Sequence, residues 1–142
     1  MRTALVRHEI DPAGLLAEVT RAANGAAVLF VGTVREVNDG RAVTGIEYTA
    51  YEEMAARELE AIARDAAATH DTEDIVVEHR LGTLALTEAS VAIAVAHPRR
   101  AAAYEASRSI IEEIKRRVPI WKLEHYEDGS REWVNAGTGA SR

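Results

Sequence analysis

Residues 26–51, AAVLFVGTVREVNDGRAVTGIEYTAY, limit the fold more than any other stretch of the chain. An apolar, β-branched run (26–36) is interrupted by Asn-Asp-Gly-Arg (38–41), and a second run (42–51) follows at once. That pattern predicts two antiparallel strands joined by a tight turn, with the first strand central in its sheet. The rest of the chain is read around this hairpin. TALVRHEI (3–10) alternates as a strand does, and Asp11-Pro12 opens a helix that continues through LLAEVTRAA to Asn24-Gly25. Residues 52–70 place Met54, Leu59, Ile62 and Ala66 at the spacing of an amphipathic helix. Strands are expected at 74–86 and 90–97 around a turn at 87–89. A second long helix is expected at 99–117, its stripe being Ala103, Ser107, Ile110, Ile111 and Ile114. Pro119 pushes Val118 out of helical geometry. IWKLEHY and REWV then flank Glu127-Asp128-Gly129-Ser130 as a hairpin. Few connections are long enough for a parallel crossover, so the expected class is α+β with a mainly antiparallel sheet. Residues 1–136 read as a single domain and 137–142 as a flexible tail.

Several function classes are disfavoured at this level. A net charge of −6 argues against a nucleic-acid partner, because phosphate-backbone binding rests on an excess of Lys and Arg. No apolar run approaches the length that spans a bilayer, and charges interrupt the apolar stretch of MRTALVRHEI. Those two features predict a cytoplasmic protein with no membrane partner. Cysteine is absent, which removes thiolate metal sites and thiol nucleophiles from this chain. The five histidines (8, 70, 79, 97, 125) show no metal-ligand spacing, and no metal or cofactor is expected. His79 and His125 read as polar strand ends. Tyr104, Trp121 and Trp133 read as core or interface side chains.

Basic residues supply the chemistry that is left. Lys115 and Lys122 are the only two lysines beside fifteen arginines, and they flank Pro-x-Trp in IKRRVPIWKLE. An amine can lose its proton or attack an electrophile, and a guanidinium cannot, so two retained lysines suggest a need for the amine. The bland alternative is that a mutational bias left two lysines by chance. Arg116 and Arg117 would favour the neutral form of Lys115. Trp121 and Leu123 share one strand face and Ile120, Lys122 and Glu124 the other, so Lys122 faces outward or into a cleft if Trp121 faces the core. Glu124 could orient it. His97-Pro98-Arg99-Arg100 opens the second long helix, where two arginines are either solvated or form an anion site with the free N–H groups of the helix start. Arg35 ends the apolar strand after Gly32, Thr33 and Val34.

At these residues the chain resembles the large, catalytic subunit family of molybdopterin synthase. The resemblance covers nearly all of residues 1–136. It is carried by FVGTVRE, NDGRAVTGIEYTAYEEMA, HRLGTL, RRAAAYEA, VPIWKLE and REWV in this order. It implies an α/β-hammerhead-type fold with extra antiparallel strands. It also implies a sulfurtransferase that converts cyclic pyranopterin monophosphate (precursor Z) to molybdopterin. The sulfur would arrive as the C-terminal thiocarboxylate of a small ubiquitin-like partner ending in Gly-Gly, within a heterotetramer built on a dimer of large subunits. By resemblance Lys115 and Lys122 are catalytic, and Thr33, Val34, Arg35, Arg99, Arg100, Leu123 and Glu124 contact substrate. Arg131 would reach the pocket of the other protomer. The family usually carries His-Arg where this chain has Arg99-Arg100, and a guanidinium cannot accept a proton as imidazole does. Acid–base work at position 99 is therefore in doubt, while anion binding survives. Read from the residues alone, a Schiff-base lysine enzyme and a non-catalytic ligand- or partner-binding domain also remain open.

Overall fold

The structure is a computed structural model of the chain and describes residues 1–134; the tail read at 137–142 lies outside the described residues. Among the described residues there are three helices and nine strands, the strands forming two sheets. The first sheet orders β1 (Arg2–Val6), β5 (Ile75–Arg80), β7 (Ala89–His97) and β2 (Ala26–Thr33). Its β1–β5 pair is parallel and the other pairs are antiparallel. The second sheet orders β3 (Val37–Asn38), β4 (Arg41–Ala50), β8 (Ile120–Tyr126) and β9 (Arg131–Val134), with β6 (Gly82–Ala85) on the other part of β4. The expected α+β class is what the structure has.

Strand β7 shows why its sequence is so uniformly apolar. Val91, Ile93 and Val95 join the large core beneath α2 (Glu52–His70) and α3 (Arg100–Arg117). Ala92, Ala94 and Ala96 face a second core under α1 (Pro12–Val19), with Ile10, Leu15, Val19 and Val76. A strand covered on both faces has no solvent side, so its alternation disappears. The small alanines on one face let α1 lie close.

Four expectations change here. The run at 26–36 does not pair with the run at 42–51. Strand β2 bonds to β7 along its length, and β4 bonds to β8, β6 and the two-residue β3. The reason is local. A register shift at Gly32/Thr33 ends β2, and the backbone of Val34 is taken by the 87–88 turn, through Val34 N to Glu88 O and Thr87 N to Val34 O. The predicted Asn-Asp-Gly-Arg turn does form, but it closes only β3 onto β4. Second, the expected strand at 74–86 is two strands in different sheets, broken at Gly82, whose φ of +100° only glycine adopts without strain. Third, α1 stops at Val19 and the first strand at Val6, short of the expected ends. Fourth, Met54 is exposed, whereas Leu59, Ile62 and Ala66 of the same predicted stripe are buried.

The end of α3 positions everything that follows. Val118 turns extended (φ −80°, ψ 125°) ahead of Pro119, its N–H closing the last helical turn onto Ile114 O. Pro119 O then accepts from Tyr51 N, so β8 starts at once beside the end of β4. The last turn of α3 and the first residues of β8 are thereby held within one corner of the molecule.

Candidate active site

A cavity of about 260 Å³ opens at that corner. Phe30, Gly32, Thr33 and Arg35 line it from β2 and the connection after it, Ile46 and Tyr48 from β4, Ile111 and Lys115 from α3, and Lys122 and Glu124 from β8. A smaller recess of about 40 Å³ continues inward past Lys115 and Lys122 to His79. The two lysines, seven residues apart in sequence, line one hollow because the helix ends and reverses at Pro119.

On β8 the inner face is Ile120, Lys122, Glu124 and Tyr126, and Trp121 and Leu123 are half-buried on the other. The condition that Trp121 and Leu123 face the core is not met: the charged face is the more deeply buried one, and Lys122 lines a cleft. Lys122 is 8% exposed and Glu124 1%. Their charges pair, with Nζ 3.4 Å from Oε2. Such burial costs several kcal/mol per ion unless the remaining polar capacity is met, and on the Glu124 carboxylate it is. Asn38 Nδ2 donates to both carboxylate oxygens at 2.8 and 3.0 Å, and the Tyr126 hydroxyl donates to Oε1 at 2.8 Å. Burial, then its bond to the Glu124 carboxylate, pushes the Tyr126 phenol up to about 12. Tyr126 therefore stays a donor. Arg35, at the open rim, donates to Asn38 Oδ1 at 3.2 Å.

The inner recess ends in a neutral imidazole. His79 is fully buried, packs edge-on against Tyr48 with ring centroids 5.2 Å apart, and bonds through Nδ1 to Arg80 O at 2.9 Å. Burial, with the Lys115 charge nearby, drops its pKa to about 4. Lys115 lies in the last turn of α3 beside Arg116 and Arg117, as expected, and both guanidiniums are themselves paired. Arg116 is bonded to Glu113, and Arg117 to Glu58, Asp65 and Glu113.

Of the residues singled out in the sequence, Thr33, Arg35, Lys115, Lys122 and Glu124 meet in this cavity. Val34 is buried in the core with its backbone bonds used, and Leu123 faces away on β8. Arg131 is exposed on β9, opposite His125. Arg99 and Arg100 begin α3 whereas Lys115 is in its last turn, roughly 22 Å along the helix at 1.5 Å per residue. Within one copy Arg99 lies at a different hollow, lined also by Thr69, His70, His97 and Glu105. His97 Nδ1 accepts the Arg99 backbone N–H there at 2.9 Å, so its imidazole serves the helix start. Sequence reasoning missed Asn38, Tyr48, His79, Ser90 and Tyr126. Tyr126 was within reach, since it continues the i, i+2 face of Lys122 and Glu124. Among the described residues no group of His, Asp and Glu side chains converges as a metal site, and no helix is long and apolar enough to cross a membrane.

The same fold recurs in known proteins. The family model described as MoaE protein matches residues 5–117. The chain is 42% identical to the molybdopterin synthase catalytic subunit of Coccidioides immitis, over 91% of this chain and 67% of that protein. It is also 42% identical to the protein of the same name in Thermoplasma volcanium, over 91% of this chain and 94% of the relative. The crystal structure of molybdopterin synthase from Staphylococcus aureus superposes with a TM-score of 0.86 at 34% identity, covering 92% of this chain and 95% of that one. The chain spans about two thirds of the length of the fungal relatives it matches.

Proposed function

This chain belongs to the MoaE protein family, and from that premise we propose that it is the catalytic subunit of a molybdopterin synthase. It moves sulfur onto cyclic pyranopterin monophosphate, building the dithiolene of molybdopterin. The observation that carries the reading is the pair of lysines on one cavity, with a guanidinium at its rim.

The sulfur donor is the C-terminal thiocarboxylate of a small ubiquitin-like subunit ending in Gly-Gly. Such a donor explains how a chain without cysteine handles sulfur. An extended diglycine tail has no side chains to obstruct a narrow entry. The tail's sulfur first bonds to a pterin side-chain carbon as a carbon–oxygen bond there breaks. Water then adds to the acyl carbon, whose oxygen gathers negative charge, and the acyl carbon–sulfur bond breaks to leave a carboxylate tail and the sulfur on the pterin. Lys115 is the group we assign to stabilise that charge and to move a proton. Lys122, aimed by Glu124, grips the pterin and supplies the second proton transfer. Arg35 faces the phosphate. Arg99 and Arg100 serve a neighbouring copy of the chain, which is how residues at the far end of α3 take part; Arg131 crosses between protomers in the same way. The assembly is a dimer of this chain with one small subunit on each copy, in the cytoplasm.

The test mixes this chain with a thiocarboxylated small partner and cyclic pyranopterin monophosphate and assays the dithiolene product. Wild type forms product, and Lys122→Ala loses at least about 100-fold in rate. Product formed by Lys122→Ala at the wild-type rate would remove the mechanism. Borohydride trapping of an imine at either lysine would favour a Schiff-base enzyme instead.

A further inference from the structure

We propose that Asn38 is a positioning residue for Lys122: its amide, held between the Arg35 guanidinium and the Glu124 carboxylate, fixes the carboxylate that aims the ammonium into the cavity. This rests on the sulfur-transfer reading of the cavity and adds to it a role for the Asn-Asp-Gly-Arg turn.

A turn residue is ordinarily solvated, yet Asn38 is 7% exposed. The turn explains how. Asp39 and Gly40 both have positive φ, 50° and 76°, which is the two-residue hairpin loop that matches strand twist. Asn38 and Arg41 are the pair that it closes, and Val43 N bonds back to Glu36 O at 2.8 Å. A stiff loop thus turns one side chain inward.

The amide orientation follows from its partners. Only the NH₂ can donate to a carboxylate, and only the oxygen can accept from a guanidinium. With Oδ1 on Arg35 and Nδ2 on both Glu124 oxygens, the amide links a rim cation to a buried anion. Tyr126 reaches Oε1 alone, whereas Asn38 also holds Oε2, the oxygen that faces Lys122. A lysine side chain has many rotamers, so the ammonium is only as well placed as its carboxylate.

The charged and titratable groups around Glu124 are few. Lys122 and Tyr126 share its strand, Arg35 acts through Asn38, and Lys115 lines the same cavity from α3. Tyr48 of β4 lies opposite Lys122 and lines the same cavity, Arg41 of β4 stacks on the Tyr126 ring at 3.5 Å, and Glu132 of β9 lies opposite Glu124 in the strand register.

Asn38→Asp keeps the size and the acceptor for Arg35 but sets a second carboxyl against Glu124. Two carboxyls at that separation cannot both ionise freely, so one holds a proton into the neutral range. The chain has two lysines, so ¹³Cε-lysine labelling gives two signals, assigned with Lys115→Arg. In Asn38→Asp the Lys122 signal should gain a titration step between about pH 5 and 8 that wild type lacks. Turnover at pH 8 should fall by about 10- to 100-fold, with KM for the pterin within about twofold, and recover in part as pH is lowered. Asn38→Ala frees Arg35 as well, so kcat falls and KM rises. A merely structural role would lower the folded fraction alone, leaving KM, the pH profile and the Lys122 signal as in wild type. A Lys122 signal in Asn38→Asp that overlays wild type would overturn the proposal. Should that variant not fold, Asn38→Ala decides by whether the Lys122 signal moves while that of Lys115 stays. If wild type itself forms no dithiolene, the sulfur-transfer reading falls, and the two lysine signals still decide what Asn38 does.

Discussion

Strands β7 and β8 are both buried, but they bury different things. β7 packs Val91, Ile93 and Val95 against two helices and Ala92, Ala94 and Ala96 against a third. β8 turns Lys122 and Glu124 inward with Ile120 and Tyr126, and leaves Trp121 and Leu123 half-covered. One strand contributes stability through area removed from water. The other spends some of that stability on a desolvated ion pair that is useful only if it acts on something in the cavity. The two sheets differ in what they give the cavity: the four-stranded sheet supplies a wall through Phe30, Gly32 and Thr33, and the sheet built on β4 and β8 supplies the buried ion pair.

That difference can be broken or sharpened by substitution. The largest effect should come from Lys122→Met, which keeps the stem and removes the ammonium. Dithiolene formation should fall by about 10²- to 10⁴-fold, and the folded state should lose about 3 to 5 kcal/mol because Glu124 is left as a buried charge without its cation. Next, Ile93→Ala on β7 should destabilise by about 2 to 5 kcal/mol in urea unfolding. Activity per folded molecule should stay at the wild-type level. If Ile93→Ala instead lowered kcat of the folded fraction, scaffold and site would not be separable.

An intermediate effect is expected from His79, which lies where the two regions meet. Its folded-state pKa of about 4 is below the ordinary histidine value. The neutral ring therefore contributes stability that is fully present above about pH 6.5 and is lost as pH falls toward 4, on the order of 3 kcal/mol. Urea midpoints measured across that window should fall for wild type and stay flatter for His79→Phe. The smallest effect should be Gly40→Ala in the β3–β4 turn, about 1 kcal/mol, because φ of 76° is strained for any residue with a Cβ.

The sequence made the apolar strands, both long helices and the Pro119 break legible, since each follows from local period or a fixed φ. What it hid was partnership between elements. The run at 26–36 and the run at 42–51 look like a hairpin because a hairpin turn lies between them, yet that turn closes only β3 onto β4. The choice between sheets is made by pairs distant in sequence, such as β2 with β7, which no local pattern encodes. The site was legible in part for the same reason. Lys115, Lys122 and Glu124 lie close together in sequence and were visible as an oddity of composition. Asn38 comes from 86 residues away and was read as a turn residue, which it also is.

The central claim is that primary amines, and not simply positive charges, do the work of this cavity. Single-turnover transfer of sulfur from a thiocarboxylated partner should be measured for wild type, Lys115→Arg and Lys122→Arg at equal folded concentration. Each arginine variant should keep its charge and lose at least about 100-fold in rate. A wild-type rate in either one would contradict the account.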